Sequence, residues 1–599
     1  MDEILSNLNS QQLVAVKRTD GPVLILAGAG SGKTKVLTTR VAWIISQKIV
    51  PAENILLVTF TNKAASEMKQ RVDGLLEANS GSPMAGTFHS VCAKILRKDG
   101  FEVGIHSGYV IYDDSDSADL IKEILKKLDL SPKSFNHNAI IASISGAKNQ
   151  LISATQYPEY ARGFWQENVA RIYFAYQKCL KENDALDFDD LINETVRLFK
   201  SRPEVLEKYQ NQWPYILVDE YQDTNNAQFE LTKLLAKKHQ NICVVGDFSQ
   251  SIYSWRGADY RNLLKFKSEF PRVVTFNLEQ NYRSTQNILD AAFKVISQNR
   301  SHPILKLWTK KDGGEKIQLY EARNEQDEAA YILKRIAESG GRLDSFAVLY
   351  RTNAQSRVLE EAFLHDGVPY VLVGGIRFYE RKEIKDVLSY LRLLHNPKDS
   401  VSHSRAEKIG KNRLAKFETG IRNRELGSTL EILDRTLQLT SYLEMFDPEN
   451  EEDLARLENI KELRSVAQEF PVLADFLENV ALVEKESRRH ADKNAVTLMT
   501  LHAAKGLEFK TVFIVGMEEG LFPHSRAIMD RLEMEEERRL CYVGITRAKE
   551  KLYLTYARRR LFFGTRSENM ISRFVADIPE HLLSMELNGS SHQTWGEDF

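Results

Sequence analysis

A strand–loop–helix pattern stands near the start of the chain, in Val23-Leu24-Ile25-Leu26-Ala27-Gly28-Ala29-Gly30-Ser31-Gly32-Lys33-Thr34. Its apolar first half predicts a buried strand, and the residues that follow are typical of a helix. A glycine-rich loop that leads into a helix directs backbone N–H groups and the helix dipole at a phosphate. We therefore expect residues 27–34 to bind the phosphates of a nucleotide, with Lys33 reaching the outer phosphates and Thr34 holding Mg²⁺.

One residue of this loop departs from the stricter pattern, because Ala27 stands where glycine is usual. The alternative interpretation is a glycine-rich turn that is followed by Lys-Thr by chance. The other patterns of the chain argue against that alternative.

Length and composition limit the classes of protein to which the chain can belong. A chain of 599 residues is too long for one hydrophobic core, so several domains are expected. A hydrophobic content of 43% and a charged content of 27% are typical of globular proteins in water. Because the formal net charge is only −2, any nucleic acid would have to bind in a local basic channel.

The cysteines and the apolar runs indicate where the chain works. The four cysteines are far apart in the sequence and form no C-x-x-C pair. This spacing argues against a zinc site, an iron–sulfur cluster and a disulfide framework, and it is typical of the reducing cytoplasm. Residues 1–12 lack the apolar core of a signal peptide, and no apolar run is long enough to span a bilayer. We expect a cytoplasmic protein with no membrane partner and no metal cluster.

A second strong pattern is Tyr215-Ile216-Leu217-Val218-Asp219-Glu220, where four apolar residues end in two acids. It predicts a buried strand with both acids at its tip. Asp219 is suited to bind Mg²⁺, and Glu220 to act as the general base for an attacking water. Two acids in a solvated turn are the alternative, which the phosphate loop makes less favourable.

A further predicted strand end and a short loop carry residues suited to nucleic acid. Residues 55–60 predict a strand that ends at Phe60 and is followed by Thr61. The carboxyl ends of parallel strands line ligand crevices. Phe60 could stack on a base and Thr61 could touch a phosphate. Thr87 and His89, within residues 86–90, are suited to contact the backbone phosphates of a nucleic acid. A core phenylalanine and a structural histidine remain open alternatives for these residues taken singly.

Residues 242–247 predict another strand, which leads into an aromatic and polar segment at 248–257. Gln250 at the strand tip could sense the γ-phosphate. Tyr253, Trp255 and Arg256 combine stacking surfaces with a cation, which is how proteins bind single strands without reading their sequence. One segment could thus touch both nucleotide and nucleic acid and couple their binding.

Together with three later motifs, these residues make the chain resemble the UvrD/Rep/PcrA family of superfamily 1 DNA helicases. The later motifs lie at residues 280–285, which read Gln-Asn-Tyr-Arg-Ser-Thr, and at 496–509 and 535–548. They follow in the order that the family requires. The resemblance runs from residue 8 to about residue 579, apart from one poorer stretch.

The resemblance implies roles for the residues at matching positions. Gln12 would recognise adenine, although a surface glutamine at a helix start is the simpler interpretation without the family. Tyr282 would stack on adenine and Glu508 would meet the ribose. Gln250, Arg283 and Arg547 would contact the γ-phosphate, because a guanidinium can neutralise the charge that develops there; taken singly, the two arginines could be salt-bridge residues. The family's strand-contacting positions map to Phe60, Thr87, His89, Phe188, Tyr253, Trp255, Arg256 and His524.

The resemblance also implies an α/β fold of two RecA-like P-loop motor domains with parallel sheets, each carrying a helical insertion, with ATP in the cleft between the motors. The first motor domain would comprise residues 1–105 and 184–276, with the first insertion at 106–183. The second would comprise residues 277–395 and 495–580, with a shortened insertion at 396–494 and a disordered tail at 581–599. Strands predicted at 346–351, 512–515 and 552–555 support the second motor domain.

Three features depart from the family pattern. Phe248 and Ser249 precede Gln250 where relatives often carry small or acidic residues, which should tune the coupling rather than abolish it. The second insertion is short, and the cations around Ile409 and Gly410 could bind duplex phosphate or form a solvated basic helix face. The chain ends soon after residue 574, so the C-terminal partner-binding module of some relatives would be absent.

These inferences predict an ATP- and Mg²⁺-dependent helicase that translocates along single-stranded DNA. The family implies 3′-to-5′ movement, binding to single/double-strand junctions, a role in repair or replication, and repair or replication proteins as partners. The alternatives are an ATPase that strips proteins from single strands with little unwinding, and a regulatory binding subunit. The intact Asp219, Glu220 and Arg547 argue against an inactive binding module.

Overall fold

The computed structural model describes residues 2–77, 80–132, 134–421, 427–487, 494–562 and 564–586. The chain divides into two compact units. The first contains Met1–Tyr282 and His302–Trp308, and the second contains Arg283–Ser301 and Thr309–Phe599. Each unit is built on its own parallel sheet.

The first unit has a six-stranded parallel sheet in the order β3-β2-β6-β7-β1-β8, and β4 and β5 form a separate parallel pair. The strands of this unit are β1 (Val23–Ala27), β2 (Ile55–Thr59), β3 (Met84–Thr87), β4 (Val110–Tyr112), β5 (Ala185–Asp187), β6 (Tyr215–Val218), β7 (Asn241–Gly246), β8 (Val274–Leu278) and β9 (Gln280–Asn281).

Both faces of this sheet are covered, which explains why its central strands are apolar throughout. Leu24 and Leu26 pack in one core, whereas Val23 and Ile25 pack in the other. Neighbouring residues of a strand point to opposite faces, so a strand between two cores needs apolar residues at every position. The strands predicted at 55–60, 215–218 and 242–247 are confirmed to within one residue at each end.

Helices connect these strands, and the first insertion lies between β4 and β5. The helices of the first unit are α1 (Asp2–Leu5), α2 (Ser10–Lys17), α3 (Lys33–Ser46), α4 (Asn62–Asp73), α5 (Phe88–Asp99), α6 (Asp114–Lys127), α7 (His137–Asn149), α8 (Gly163–Glu182), α9 (Phe188–Ser201), α10 (Pro203–Gln212), α11 (Asn226–Ala236) and α12 (Asn262–Glu269). Helices α6, α7 and α8 share a core of their own, which includes Ile121, Ile144 and Tyr173.

The second unit has a seven-stranded parallel sheet in the order β13-β14-β12-β15-β16-β11-β19, and β17 and β18 form an antiparallel hairpin. The remaining strands of the chain are β10 (Trp308–Thr309), β11 (Ile317–Ala322), β12 (Phe346–Tyr350), β13 (Tyr370–Val373), β14 (Val496–Thr500), β15 (Phe509–Ile514), β16 (Ala548–Ala557), β17 (Arg559–Phe562), β18 (Thr565–Glu568) and β19 (Leu583–Glu586).

The helices of the second unit are α13 (Gln286–Ile296), α14 (Glu325–Ser339), α15 (Ser356–His365), α16 (Lys382–His395), α17 (Ser400–Ile409), α18 (Lys411–Ile421), α19 (Thr429–Thr440), α20 (Glu451–Glu469), α21 (Leu473–Ser487), α22 (Arg531–Ile545) and α23 (Arg573–Ala576). The second helical insertion begins earlier than the predicted residue 396. Phe378 and Leu388 pack in one core with Ile432 and Ile460, so α16 belongs with the insertion rather than with the sheet.

The predicted disordered tail at 581–599 is wrong for its first residues. Leu583–Glu586 forms β19, which pairs in parallel with β11 at the edge of the second sheet. Pairing at an edge uses backbone groups, so a short segment of mixed polarity can join a sheet. Residues 587–599 lie outside the described residues. The α/β fold with two parallel sheets, each interrupted by a helical insertion, agrees with the predicted architecture.

Within the described ranges, no helix combines the length and the apolar character needed to cross a membrane.

Candidate nucleotide and DNA sites

The predicted phosphate loop lies between β1 and α3, as the sequence pattern requires. β1 ends at Ala27 and α3 begins at Lys33. Gly32 has a φ of 85°, in the left-handed region that favours glycine. A Cβ atom at Gly32 would lie 3.0 Å from Nε2 of Gln12, so the loop and α2 approach closely. The loop therefore presents the N-terminus of α3 at the place where a phosphate would bind.

Lys33 reaches the acidic end of β6. Its Nζ donates to Oε2 of Glu220 at 3.2 Å. Thr34, the next residue, lies in the first turn of α3. The structure thus brings together the two strongest sequence patterns of the chain, which are 187 residues apart.

Asp219 and Glu220 directly follow β6, at its carboxyl end. Asp219 is buried, and its Oδ1 accepts from the backbone N–H of Glu220 at 3.0 Å. Glu220 has a φ of 50°, which costs a residue with a side chain about 1–3 kcal/mol. Such strained residues cluster at functional sites. Gln222 Nε2 also donates to Glu220 Oε2, at 2.5 Å, so the carboxylate is held by two donors.

Gln250 lies in a short 3₁₀ helix after β7, beside this acidic loop. Its Nε2 donates to Oδ2 of Asp247 at 2.5 Å. Gln222 Oε1 accepts from the backbone N–H of Asp247 at 3.0 Å, so Gln222 links the loop of Glu220 to the loop of Gln250. Burial raises the pKa of Asp247. Sequence reasoning missed Gln222, although its place two residues after the paired acids is a signal that could have singled it out.

Phe248, the unusual residue before Gln250, is part of the core. It is buried, and its ring stacks on His302 with centroids 5.8 Å apart. The departure from the family pattern therefore concerns packing behind Gln250.

The predicted adenine residues lie beside the phosphate loop. Gln12 is 0% exposed, so the surface interpretation of this residue is wrong. Its Nε2 donates to the Ser31 carbonyl at 2.9 Å, and its Oε1 accepts from the Asn9 backbone N–H at 3.1 Å. Asn9 Nδ2 donates to the hydroxyl of Tyr282 at 2.8 Å. Tyr282 is 46% exposed, and its backbone N–H donates to the Gly30 carbonyl at 2.9 Å. Sequence reasoning missed Asn9, which connects the two.

In the second unit, Arg283 is paired with Glu508. Arg283 Nε donates to Glu508 Oε2 at 2.7 Å, and its Nη1 donates to the Thr546 carbonyl at 3.1 Å. Lys549 Nζ lies 2.7 Å from the other carboxylate oxygen of Glu508. Burial alone would raise the pKa of Glu508, but Lys549 and Arg283 outweigh it and lower the pKa to about 2. The predicted ribose contact and one predicted γ-phosphate contact thus lie side by side.

Arg547, the second predicted γ-phosphate contact in this unit, is only 1% exposed. Its Nε donates to the Val543 carbonyl at 2.9 Å and its Nη1 to the Leu507 carbonyl at 3.1 Å. These bonds tie the end of α22 to the segment that carries Glu508. The salt-bridge interpretation describes Arg283 in this structure, whereas Arg547 holds backbone carbonyls.

Four predicted DNA contacts of the first unit form one cluster at the carboxyl ends of β2, β3 and β5. The rings of Phe60 and Phe88 lie 5.8 Å apart, and those of His89 and Phe188 lie 5.9 Å apart. Phe188 is 49% exposed. Burial lowers the pKa of His89, so the ring is neutral near pH 7. Thr87 completes the cluster as the N-cap of α5.

Other predicted contacts have helix-capping or stacking positions. Thr61 is the N-cap of α4, and its side chain accepts from the Ala64 backbone N–H at 3.1 Å. The Arg256 guanidinium lies 4.4 Å from the ring centroid of Trp255 and 5.8 Å from that of Tyr253. Because Trp255 is 41% exposed, a stacked cation and an accessible aromatic surface stand together, as single-strand binding requires.

His524 lies against the second insertion. Its Nε2 pairs with Oε1 of Glu458 on α20 at 2.9 Å, and its backbone N–H donates to Glu537 at 2.9 Å. Glu458 is buried, and its alignment with His524 could not be seen in the sequence.

The cations around Gly410 are partly engaged within the insertion. Arg405 Nε donates to Asp386 at 2.7 Å, and Arg413 Nη1 donates to the Ser441 carbonyl at 2.6 Å. Lys408 and Lys411 face solvent, and Lys411 lies 3.3 Å from Glu407. The two interpretations of this segment therefore remain open only for the lysines.

In the part of the chain that the structure describes, no group of three or more His, Cys, Asp or Glu side chains is placed to hold a metal ion. Thr34 and Asp219 offer a hydroxyl and a carboxylate oxygen, which are ligand types that Mg²⁺ accepts alongside phosphate and water.

Comparison with known proteins identifies the family. The model of the UvrD/REP helicase N-terminal domain matches residues 8–271, and that of the UvrD-like helicase C-terminal domain matches residues 276–445 and 422–559. A protein of Staphylococcus epidermidis, named ATP-dependent DNA helicase PcrA, is 46% identical over 99% of this chain and 89% of its own length. A protein of Staphylococcus aureus with the same name is 45% identical over 98% of this chain and 88% of its own length. The chain belongs to the UvrD/Rep/PcrA family of helicases.

Proposed function

We propose that this chain, an ATP-dependent DNA helicase, translocates 3′ to 5′ along single-stranded DNA and opens duplexes at single/double-strand junctions during repair or replication. The observation that carries the ATP-driven part of the proposal is the 3.2 Å contact between Lys33 and Glu220, whereas the direction, the junction and the role in repair or replication rest on the family. The contact joins the phosphate loop to the acids at the end of β6, which is the arrangement that nucleotide hydrolysis requires.

The residues of the first unit would perform the chemistry. Lys33 and the backbone N–H groups of the loop would bind the phosphates. Thr34 and Asp219 would hold Mg²⁺, which when bound neutralises phosphate charge. Glu220 would accept a proton from the attacking water. The water oxygen would bond to the γ-phosphorus as the bond between that phosphorus and the bridging oxygen breaks.

Further residues would support binding and the transition state. Gln250, Arg283 and Arg547 are proposed to contact the γ-phosphate, where their donors would stabilise the charge that moves during transfer. Adenine would meet the amide of Gln12 and the exposed ring of Tyr282. Glu508, which is ionised because of Lys549 and Arg283, is an acceptor suited to a ribose hydroxyl.

The DNA strand would bind by stacking and by charge. Phe60 and Phe188 offer aromatic surface at the strand ends, and Trp255 with Arg256 offers a stacked cation. His524 would add a contact from the second unit. A site of this kind tolerates any base sequence, because every base has an aromatic face. The cytoplasm, predicted from the cysteine spacing, is proposed as the compartment.

A strand-displacement assay tests direction and unwinding together. Duplexes that carry a 3′ or a 5′ single-stranded tail are mixed with the protein, with and without ATP. We expect ATP-dependent unwinding of the 3′-tailed duplex and little of the 5′-tailed one. Preference for the 5′ tail would contradict the direction. DNA-stimulated ATP turnover without unwinding of either duplex, together with ATP-dependent displacement of streptavidin from a biotinylated single strand, would favour the protein-stripping alternative.

A further inference from the structure

The last two residues of α7, Lys148 and Asn149, lie where the first helical insertion meets the sheet domain of the first unit. The Lys148 side chain is 1% exposed, and its Nζ lies 2.6 Å from Asp187 and 2.8 Å from Asp190. Burial alone would lower the pKa of Lys148, but the two carboxylates raise it above its usual range, so the ammonium stays charged. Removal of one partner of such a buried pair leaves the other uncompensated, so this contact fixes the two segments together.

Lys148 thereby supports a predicted DNA contact. Asp187 is the N-cap of α9, and its Oδ1 accepts from the Asp190 backbone N–H at 2.9 Å. Phe188 is the first residue of α9, and its half-exposed ring packs on His89. The position of that ring is therefore set by the N-terminus of a helix that Lys148 holds.

Asn149 contacts the segment that follows the catalytic acids. Its Oδ1 accepts from Asn225 Nδ2 at 2.6 Å, and both side chains are buried. Asn225 is the N-cap of α11, through its own Oδ1, and closes the short connection that begins at Glu220. A shift of Asn149 would therefore move Asn225, which ends the connection of residues 220–225.

Asn149 also contacts the loop that carries the stacked cation. Gly257 directly follows Arg256 and has a φ of 83°. A Cβ atom at Gly257 would lie 2.7 Å from Nδ2 of Asn149, so the close approach requires glycine. The Asn149 side chain thus lies against both Gly257, in the loop that carries Trp255, and Asn225, the N-cap of α11.

We propose that Lys148 and Asn149 are positioning residues that couple the DNA contacts of the first unit to hydrolysis at Glu220. The inference rests on the proposed function, because it takes Phe188 and Trp255 as DNA contacts. DNA that moves α9 or the Trp255 loop changes the place of the α7 terminus, and the hydrogen bond from Asn225 to Asn149 transmits the change to the acidic loop. The insertion is then part of the motor and relays strand binding to the ATP site. A contact couples two sites when both bias the same element.

Asn149→Ala tests the relay with little disturbance. It removes the acceptor for Asn225, while Asn225 keeps its own cap of α11. We expect ATP turnover without DNA to stay at the wild-type rate, and the maximal stimulation by saturating oligothymidylate to fall about fivefold or more, the usual range of an allosteric coupling. Asn149→Asp keeps an acceptor oxygen and should restore most of the stimulation. Lys178→Met, an exposed lysine on α8, is the matched control and should behave as wild type.

Substitutions at Asn149 and at Lys148 should change the dependence of ATP turnover on DNA concentration in different ways. Asn149→Ala should lower the stimulated rate with little change in the DNA concentration for half-maximal stimulation. Lys148→Met should raise that concentration, because α9 and Phe188 lose their support. Where Lys148→Met fails to fold, the two Asn149 variants alone decide.

Full stimulation in Asn149→Ala would overturn the inference. Equal loss of turnover with and without DNA, together with a lower thermal midpoint, would also overturn it, because it would indicate a structural role alone. An ATP turnover of the wild-type protein that DNA does not change would instead contradict the proposed function. Failure of the relay and failure of the proposed function are therefore distinguishable.

Discussion

The Nζ atom of Lys33 lies 3.2 Å from Oε2 of Glu220, so the cation of the phosphate loop and the proposed general base share one contact. A phosphate that binds Lys33 competes with this carboxylate for the same ammonium group. The exchange would release Glu220 to accept a proton from water. Gln222, the second donor to Glu220, would keep the carboxylate in place during that exchange.

Substitution of Lys33 should abolish ATP turnover. Lys33→Ala removes the ammonium group that binds the outer phosphates, and loss of such a transition-state donor costs about 100-fold or more in rate. Steady-state phosphate release measures the effect. Lys35→Ala is the matched control, because Lys35 is in the same helix but donates to the Asn7 carbonyl. Full turnover in Lys33→Ala would remove Lys33 from the site.

Substitution of Trp255 should weaken single-strand binding. Trp255→Ala deletes an exposed ring that stacks with Arg256, and each base–aromatic stack is worth about 1–3 kcal/mol. Fluorescence anisotropy with oligothymidylate gives the affinity. Phe101→Ala, an exposed aromatic of the same unit outside the predicted contacts, should leave the affinity unchanged. An equal affinity of Trp255→Ala and wild type would take Trp255 out of the DNA site.

Local patterns predicted the parts of the fold and site that depend on neighbouring residues. The apolar runs before Gly28 and Asp219 predicted strands because a strand between two cores must be apolar on both faces. The acids and the glycine loop follow those strands directly, so their position at the carboxyl ends was predictable. Contacts between distant segments were not. Gln222 and Asn9 act through bonds whose partners only the folded chain brings near.

The boundary of the second insertion was missed for a related reason. The periodicity of α16 predicts an amphipathic helix but not which core it packs in, and its apolar face joins Ile432 and Ile460. The strand Leu583–Glu586 was missed because a short edge strand is held by backbone bonds that carry little sequence signal.

The two predicted γ-phosphate arginines of the second unit should differ in their effect on stability. Arg547→Ala leaves buried carbonyls without their donor, which costs about 1–3 kcal/mol, so both the thermal midpoint and ATP turnover should fall. Arg283→Ala should lower turnover with a smaller shift of the midpoint, because its pair with Glu508 is partly exposed. Differential scanning fluorimetry and phosphate release measure the two quantities.

The control for the arginines is Arg559→Ala, an exposed residue of the same unit that pairs with Glu568. It should leave both the thermal midpoint and the turnover near wild type. Wild-type turnover in Arg547→Ala or in Arg283→Ala would exclude that residue from the γ-phosphate site.

Single-strand binding should depend on pH through Asp189, the residue after Phe188. Burial, followed by the charge of Asp187, raises the pKa of Asp189 to about 6, against the opposing effect of Lys148. Above that pH the ionised carboxylate repels phosphate, and a bound phosphate raises the pKa further. The affinity should therefore rise as the pH falls through about 6.

Asp189→Asn isolates this effect, because other titrating groups such as His89 are common to both proteins. We expect the variant to bind oligothymidylate more tightly than wild type at about pH 8 and equally at about pH 5, where the Asp189 carboxyl of wild type is protonated and therefore as uncharged as the amide that replaces it. A ratio of the variant's affinity to the wild-type affinity that stays constant across this pH range would show that Asp189 does not cause the pH dependence.

We propose that ATP hydrolysis at the pair Lys33 and Glu220 drives strand separation. The most direct measurement is the unwinding of a 3′-tailed duplex by wild type and by Glu220→Gln, after ATP and DNA binding by both proteins has been established. We expect wild type to unwind the duplex with ATP, and we expect Glu220→Gln to bind both ligands and to leave the strands paired. Unwinding by Glu220→Gln at the wild-type rate, or no unwinding by wild type, would show that hydrolysis at this pair does not drive strand separation.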